Sequence, residues 1–329
     1  MTCARASSLA DNTFASVTSE TQYNLGSASG IQHPSALLCY NCGAMPIHDS
    51  KVQQLERIAT AIRKDIIEML VAAGSGHTAG PLGMADIFTA LYFHILHHDA
   101  KNPDWEDRDR VILSNGHICP VWYATLAHAG YFAKKELKTL RKLHTRLQGH
   151  PHRGALPGIE NTGGPLGQGT SVAVGVALAG QMRKRTYETF LLTSDGEIQE
   201  GQYWEAMMLA GNKPLHRLTV IVDRNNIQID GNTETVAPIE PLAAKFAAFN
   251  FHVIEIDGHN IRQIVDACDE ARAIYERPVA IIAHTIPGKG VDFMEFDYNW
   301  HGKTPAKDEA KRALHQLRTL GGKVRSEHE

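Results

Sequence analysis

Four short apolar runs punctuate the second half of the chain: Thr189–Thr193, Leu218–Val222, Phe251–Ile256 and Val279–Ala283. Polar turns and helix-length stretches separate them, one helix beginning near Gln202 and another running from about Asn260 to Tyr275. Strands that are apolar at successive positions bury both faces, and their alternation with helices indicates parallel βαβ units. The pattern predicts an α/β fold: a mostly parallel central sheet with helices on both faces. In such sheets ligands bind beyond the carboxyl ends of the strands, so polar motifs at those ends are the ones to weigh.

Upstream, Lys51–Ala73 carries Leu55, Ile58, Ile62, Ile66, Met69 and Leu70 at helical spacing, and Gly74-Ser75-Gly76 stops the helix. A second apolar helix is expected over about Gly83–His97, a short strand at Val111–Leu113, and a small-residue helix over about 171–185. The charged stretch Lys134–Arg146 reads as a solvated helix face. Residues 146–170 are rich in Gly and Pro, and a loop that long in a compact domain is usually functional or disordered.

The 329 residues are read as a poorly ordered extension over 1–50, one folded domain over 51–320 and a tail over 321–329. Net charge is -3 with a pI near 6.7, which gives no global basic excess to draw nucleic acid or anionic membrane. No apolar run reaches the ~18 residues of a spanning helix. The five cysteines are scattered, which argues against a disulfide scaffold and for a reducing, cytoplasmic setting. Cys39 and Cys42 form one C-x-x-C pair with no second pair to complete a zinc site.

The main constellation is Ser194-Asp195-Gly196 at the end of one expected strand and Asn225-Asn226 just past the end of a later one. The helix and strand between them would set the two strand ends side by side. Magnesium takes about six oxygens and commonly keeps phosphate and water among them. An Asp carboxylate, an Asn carbonyl and a main-chain carbonyl would fill the protein side, and Gly196 would let a diphosphate approach the backbone. Asp-Gly and Asn-Asn are each common turn dipeptides; the joint arrangement carries the information. Four histidines, His77, His117, His150 and His301, stand in glycine-bearing loops rather than on apolar faces. Neutral imidazoles there could orient and deprotonate hydroxyls near neutrality. By contrast His94, His97 and His98 follow an apolar helix and read as structural or exposed. Glu200 would start a helix, where a carboxylate is favoured.

These segments together resemble the transketolase family of thiamine-diphosphate enzymes over roughly residues 51–320. The family's G-D-G … N-N motif stands here as Ser194-Asp195-Gly196 with Asn225-Asn226, Ser replacing the first Gly. Ser75-Gly76-His77 with Gly80-Pro81-Leu82-Gly83, Ser114-Asn115-Gly116-His117, Gln148-Gly149-His150-Pro151, Gly164-Pro165-Leu166-Gly167-Gln168-Gly169 and Trp300-His301-Gly302 follow the family's order. Thr78-Ala79 replace the usual Pro-Gly of the first loop. The resemblance implies the thiamine-diphosphate-binding fold, with Mg²⁺ held by Asp195, Asn225 and the Ile227 main-chain carbonyl. It implies contacts to the cofactor from His117, Gly164, Pro165, Leu166, Gly196 and His301, and catalytic work by His77, His117, His150 and His301. It also implies that Glu200 couples to a partner's catalytic glutamate.

In this family the pyrimidine-binding domain and a C-terminal domain follow the diphosphate-binding domain. The resemblance therefore implies an N-terminal subunit of a split transketolase, self-associating and active with a C-terminal chain, that moves a two-carbon ketol unit between sugar phosphates. A split deoxyxylulose-phosphate-synthase type and an inactive regulatory module are the alternatives. An unrelated nucleotide-binding α/β protein is disfavoured, because no G-x-G-x-x-G or P-loop opens a helix after a strand.

Overall fold

The computed structural model describes residues 47–319. The extension expected over 1–50, save its last four residues, lies outside the described residues, as do Cys3, Cys39, Cys42 and the expected tail at 321–329. Helix α1 (Asp49–Ala73) buries Leu55, Ile62, Ile66, Met69 and Leu70. It ends where Gly74 turns left-handed and its N–H bonds to the Leu70 carbonyl at 2.9 Å. Two short helices follow, α2 (Ala79–Gly83) and α3 (Ala85–Ala90), then a π-turn at Leu91–Ile95. The second apolar helix thus begins four residues earlier than expected and is broken at Met84. Gly80-Pro81-Leu82-Gly83, read as loop, is helical, with proline near the first turn, where its missing N–H costs nothing.

Strand β1 (Arg110–Leu113) leads to α4 (Cys119–His128), which sequence reasoning missed. Nine consecutive residues of α4, Cys119 to Ala127, are buried, so it shows no polar face and no helical period. The charged stretch at 134–146 is a 3-10 turn over Lys134–Thr139 followed by turns in which Arg141 and His144 are left-handed, not a helix. Then come α5 (Gln168–Met182), β2 (Thr189–Ser194), α6 (Gly201–Asn212) and β3 (Leu218–Arg224). A two-residue hairpin, β4 (Ile227–Gln228) and β5 (Gly231–Asn232), precedes α7 (Thr233–Val236) and α8 (Leu242–Ala248). Strand β6 (His252–Asp257), α9 (Ile261–Ala273), β7 (Val279–His284) and α10 (Lys307–Thr319) complete the domain.

The five long strands form one parallel sheet in the order β1-β2-β3-β7-β6. Successive residues face opposite layers. Phe190, Leu192, Ile221 and Ile281 pack with α1, α3, α4, α9 and α10, whereas Leu191, Val220, Val222 and Ile282 pack with α5, α6 and α8. This two-sided burial is why the strands read as continuous apolar runs. Behind the sheet, a buried Arg63–Asp86 pair at 2.6 Å and a His259 ring nitrogen 2.8 Å from the same carboxylate tie α1, α3 and the β6–α9 turn together. Among the described residues no helix is long and apolar enough to cross a membrane.

Candidate active site

At the carboxyl edge of the sheet β2 and β3 run side by side, with Ser194 in register with Asp223. Asp195 is fully buried at the tip of β2. Its Oδ1 accepts the Gly196 N–H at 2.7 Å, and its Oδ2 accepts the Asn226 N–H at 2.5 Å and an Arg224 guanidinium N–H at 3.0 Å. Asn226 is left-handed (φ 65), a conformation Asn tolerates. Asn225 donates its Nδ2 hydrogen to Asp223 at 2.8 Å, which fixes the amide orientation. Its Oδ1 accepts the Ile227 N–H at 3.0 Å. The Ile227 carbonyl faces Gly196: a Cβ added there would lie 3.7 Å from that oxygen and 2.8 Å from the Gln228 Cβ. The three donors expected for a metal are therefore gathered at two adjoining strand tips.

The electrostatics of this corner favour a cation. Burial pushes Asp195 up to about 6 despite Arg224, and pushes Asp223 up to about 7, with Asp195 adding repulsion. Arg224 is shared with Glu234 and Glu240, each at 2.9 Å, so one guanidinium answers several carboxylates. No cluster of three His, Cys, Asp or Glu at metal-ligating distance occurs among the described residues. One carboxylate, one amide oxygen and one main-chain oxygen form instead a hard, oxygen-only set that suits Mg²⁺ completed by phosphate and water, so these residues fit that ion.

Above the strand tips is a cavity of about 390 Å³. His77, His117, His150 and His301 all line it, with Gly164, Leu166, Ser194, Gly196 and Glu200. Asp195, Asn225 and Ile227 are not among its lining residues; Asp195 and Ile227 are the chain neighbours of Gly196 and Gln228, which are. Pro165 is exposed and is not a lining residue. Three imidazoles form a triangle, with ring centroids 4.9 Å apart for His77–His117, 5.0 Å for His117–His301 and 5.6 Å for His77–His301. Burial and then mutual repulsion pull His77 down to about 4 and His117 well below its ordinary value. Burial alone lowers His301, and burial with the Arg141 charge lowers His150. All four are neutral at pH 7, each ring able to donate through one nitrogen and accept through the other. Nδ1 of His77 and of His301 is buried without a hydrogen-bond partner among the described residues, as is the Asn115 amide. Such orphaned atoms beside a cavity are what a polar ligand satisfies.

Close backbone approach brings the loops together. A Cβ on Gly116 would sit 3.1 Å from Gly163 Cα and from Gly164 N and 3.2 Å from the Pro151 ring, so three of the histidine- and glycine-bearing loops meet there. Glu200 is the N-cap residue of α6, exposed, making no capping bond, and one of the residues that line the cavity. Sequence reasoning missed Asp223 and Arg224, which bond to Asn225 and Asp195, and Glu197, which is buried and bonded to Ser114 and Gly167. No period or spacing marks them; only their adjacency to Asp195 and Asn225 could have drawn notice.

A doubly wound sheet with an oxygen-donor corner and a cluster of neutral imidazoles at its carboxyl edge is the architecture of a diphosphate-cofactor transferase. The profile of the transketolase, thiamine diphosphate binding domain matches residues 54–321. The 6-deoxy-6-sulfo-D-fructose transketolase subunit SqwG of Clostridium sp. (strain MSTE9) is 41% identical over 267 residues, 81% of this chain and 97% of its own length. An apulose-4-phosphate transketolase subunit of Actinobacillus succinogenes is 37% identical over 80% of this chain and 96% of its own. Transketolase 2 of Escherichia coli (strain K12) is 39% identical, but the chain covers only 41% of it. The crystal structure of transketolase from Campylobacter jejuni superposes with a TM-score of 0.77 at 35% identity, covering 81% of this chain and 43% of that one. The chain belongs to the transketolase family and corresponds to the N-terminal, thiamine-diphosphate-binding part of its members, as a transketolase-type transferase subunit.

Proposed function

We propose that this chain holds thiamine diphosphate and Mg²⁺ for the reversible transfer of a two-carbon ketol unit from a ketose phosphate to an aldose acceptor. A C-terminal chain carrying the pyrimidine-binding domain completes the site, in a cytoplasmic assembly of two copies of each, within pentose phosphate metabolism. The observation that carries this reading is the convergence of His77, His117, His150 and His301 on one cavity that Gly196 and Gln228, the chain neighbours of Asp195 and Ile227, also line. Bound thiamine diphosphate would supply the electron sink for breaking a carbon–carbon bond.

The chain's own residues do the rest. Asp195, Asn225 and the Ile227 carbonyl hold the metal, and Gly196 leaves room for the diphosphate. The backbone of Gly164, Pro165 and Leu166 faces the aminopyrimidine side. His77, His117, His150 and His301 hydrogen-bond substrate hydroxyls, and their lowered pKa keeps each ring in the neutral form that can accept a hydroxyl proton and return it. Glu200 at the rim reaches toward the partner's glutamate. Helices α5 and α6 expose Val172, Met182, Met208 and Leu209, an apolar set that suits an interface with another chain.

Co-purification with a C-terminal transketolase chain, followed by a donor panel, tests the proposal. The panel includes xylulose phosphate, hydroxypyruvate, pyruvate and, prompted by the similarity to SqwG, a sulfonated ketose. Turnover of a ketose donor by the mixture, with neither chain active alone, is expected. Full activity of this chain by itself, or turnover of pyruvate alone, would contradict it.

A further inference from the structure

Glu197 is a buried carboxylate that the reading above does not use. It sits in the 3-10 turn right after Asp195-Gly196 and is 1% exposed. Its Oε1 accepts the Ser114 hydroxyl at 2.6 Å and the Gly167 N–H at 2.8 Å. Its Oε2 accepts the Thr193 hydroxyl at 2.6 Å, and the Ser194 backbone N–H also bonds to the carboxyl group. Four donors thus surround the carboxyl group. No cation is among its bonded partners: neutral donors alone hold the carboxyl group in the interior, and its burial raises its pKa. The donors come from three places: the tip of β1, which leads to His117; the 164–167 loop that opens α5; and the tip of β2, which leads to Asp195.

We propose that Glu197 is a positioning residue that locks the His117 loop and the Gly164–Gly167 loop onto the tip of β2. It thereby sets the ring side of the cofactor site at a fixed distance from its metal side. The proposal rests on the functional reading above, in which the 164–166 backbone meets the aminopyrimidine and Asp195 holds the metal. Glu197 bonds directly to neither Asp195 nor Asn225, so its loss should disturb the ring side more than the metal side.

Glu197→Gln keeps the shape but places an NH₂ where only acceptors fit. The hydroxyls of Ser114 and Thr193 can rotate to accept, whereas the N–H groups of Gly167 and Ser194 cannot. The experiment measures calorimetric affinities of the two-chain assembly for two Mg²⁺-bound probes, thiamine diphosphate and inorganic pyrophosphate. For Glu197→Gln the expected result is thiamine diphosphate binding at least ~10-fold weaker, the size seen when a supporting hydrogen bond behind a ligand is removed. Pyrophosphate binding should stay within about twofold. Ser114→Ala removes one of the four donors and should shift the same ratio in the same direction by a smaller factor; it carries the test if Glu197→Gln does not fold. Equal weakening toward both probes would mean a general structural role and overturn the proposal, as would an unchanged ratio. Failure of the functional reading looks different: wild type would then bind neither probe in a Mg²⁺-dependent way.

Discussion

At the scale of single residues, burial sets the protonation of the site's imidazoles and of carboxylates elsewhere in the fold. The four cavity histidines stay neutral because burial opposes protonation, with repulsion from neighbouring imidazoles adding to it at His77 and His117. At the opposite, amino-terminal edge of the sheet, burial pushes Glu188 up to about 7 from an ordinary 4.5, with Arg217 opposing and Asp109 adding to the rise. A carboxylate raised in this way binds its proton more tightly in the folded state than in the unfolded one. Its contribution to stability is therefore greatest at low pH and is lost as pH rises from 4.5 to about 7. Melting temperatures of wild type and Glu188→Gln should accordingly diverge over that window, wild type falling relative to the variant as pH increases. Parallel curves would show that Glu188 titrates normally. The histidines contribute with the opposite sign in both proteins, so the comparison removes them. Of the residues that shape the site, those in glycine-flanked loops were legible in the sequence. Asp223, Arg224 and Glu197 were not, because a buried polar residue is defined by what it bonds to across the fold and leaves no local pattern.

At the scale of elements, the parallel strands were legible to within a residue or two, since two-sided burial writes itself as a continuous apolar run. Helices with a polar face, such as α1 and α9, were equally visible. Helix α4 was not, because it is buried along nearly its whole length, and the break at Met84 was not, because the apolar pattern continues through it. The corner proposed to hold the metal depends on the close approach of two elements, the β2 tip and the β4–β5 hairpin. A Cβ at Gly196 would come within 2.8 Å of the Gln228 Cβ, a main-chain-anchored atom that cannot swing away. Gly196→Ala should therefore push the hairpin off the strand tip. We expect Mg²⁺-dependent cofactor binding weakened by ~10-fold or more, with a stability loss of only ~1–3 kcal/mol, the usual cost of overpacking. Calorimetry alongside a denaturant melt measures both, and unchanged binding would show that the approach is not needed.

At the scale of the whole molecule, the chain matches named transketolase subunits nearly end to end and about two fifths of the transketolases with solved structures. One wall of its cavity carries the loops, the strand tips and Glu200, and the proposed C-terminal chain would supply the facing wall. The fold class was readable from strand periodicity alone, and the family from six short segments in order. That the segments converge on one cavity is a property of the sheet's strand order, which no local motif encodes. The claim on which the whole account turns is that Asp195 and Asn225 grip a metal-bridged diphosphate. Titration of thiamine diphosphate into the two-chain assembly, with Mg²⁺ and with a chelator, for wild type and Asp195→Asn, tests it most directly. The account predicts tight binding only for wild type with Mg²⁺, and at least ~100-fold weaker binding for Asp195→Asn, beyond the ~10–100-fold typical of supporting residues. Equal affinity in chelator, or in Asp195→Asn, would contradict it.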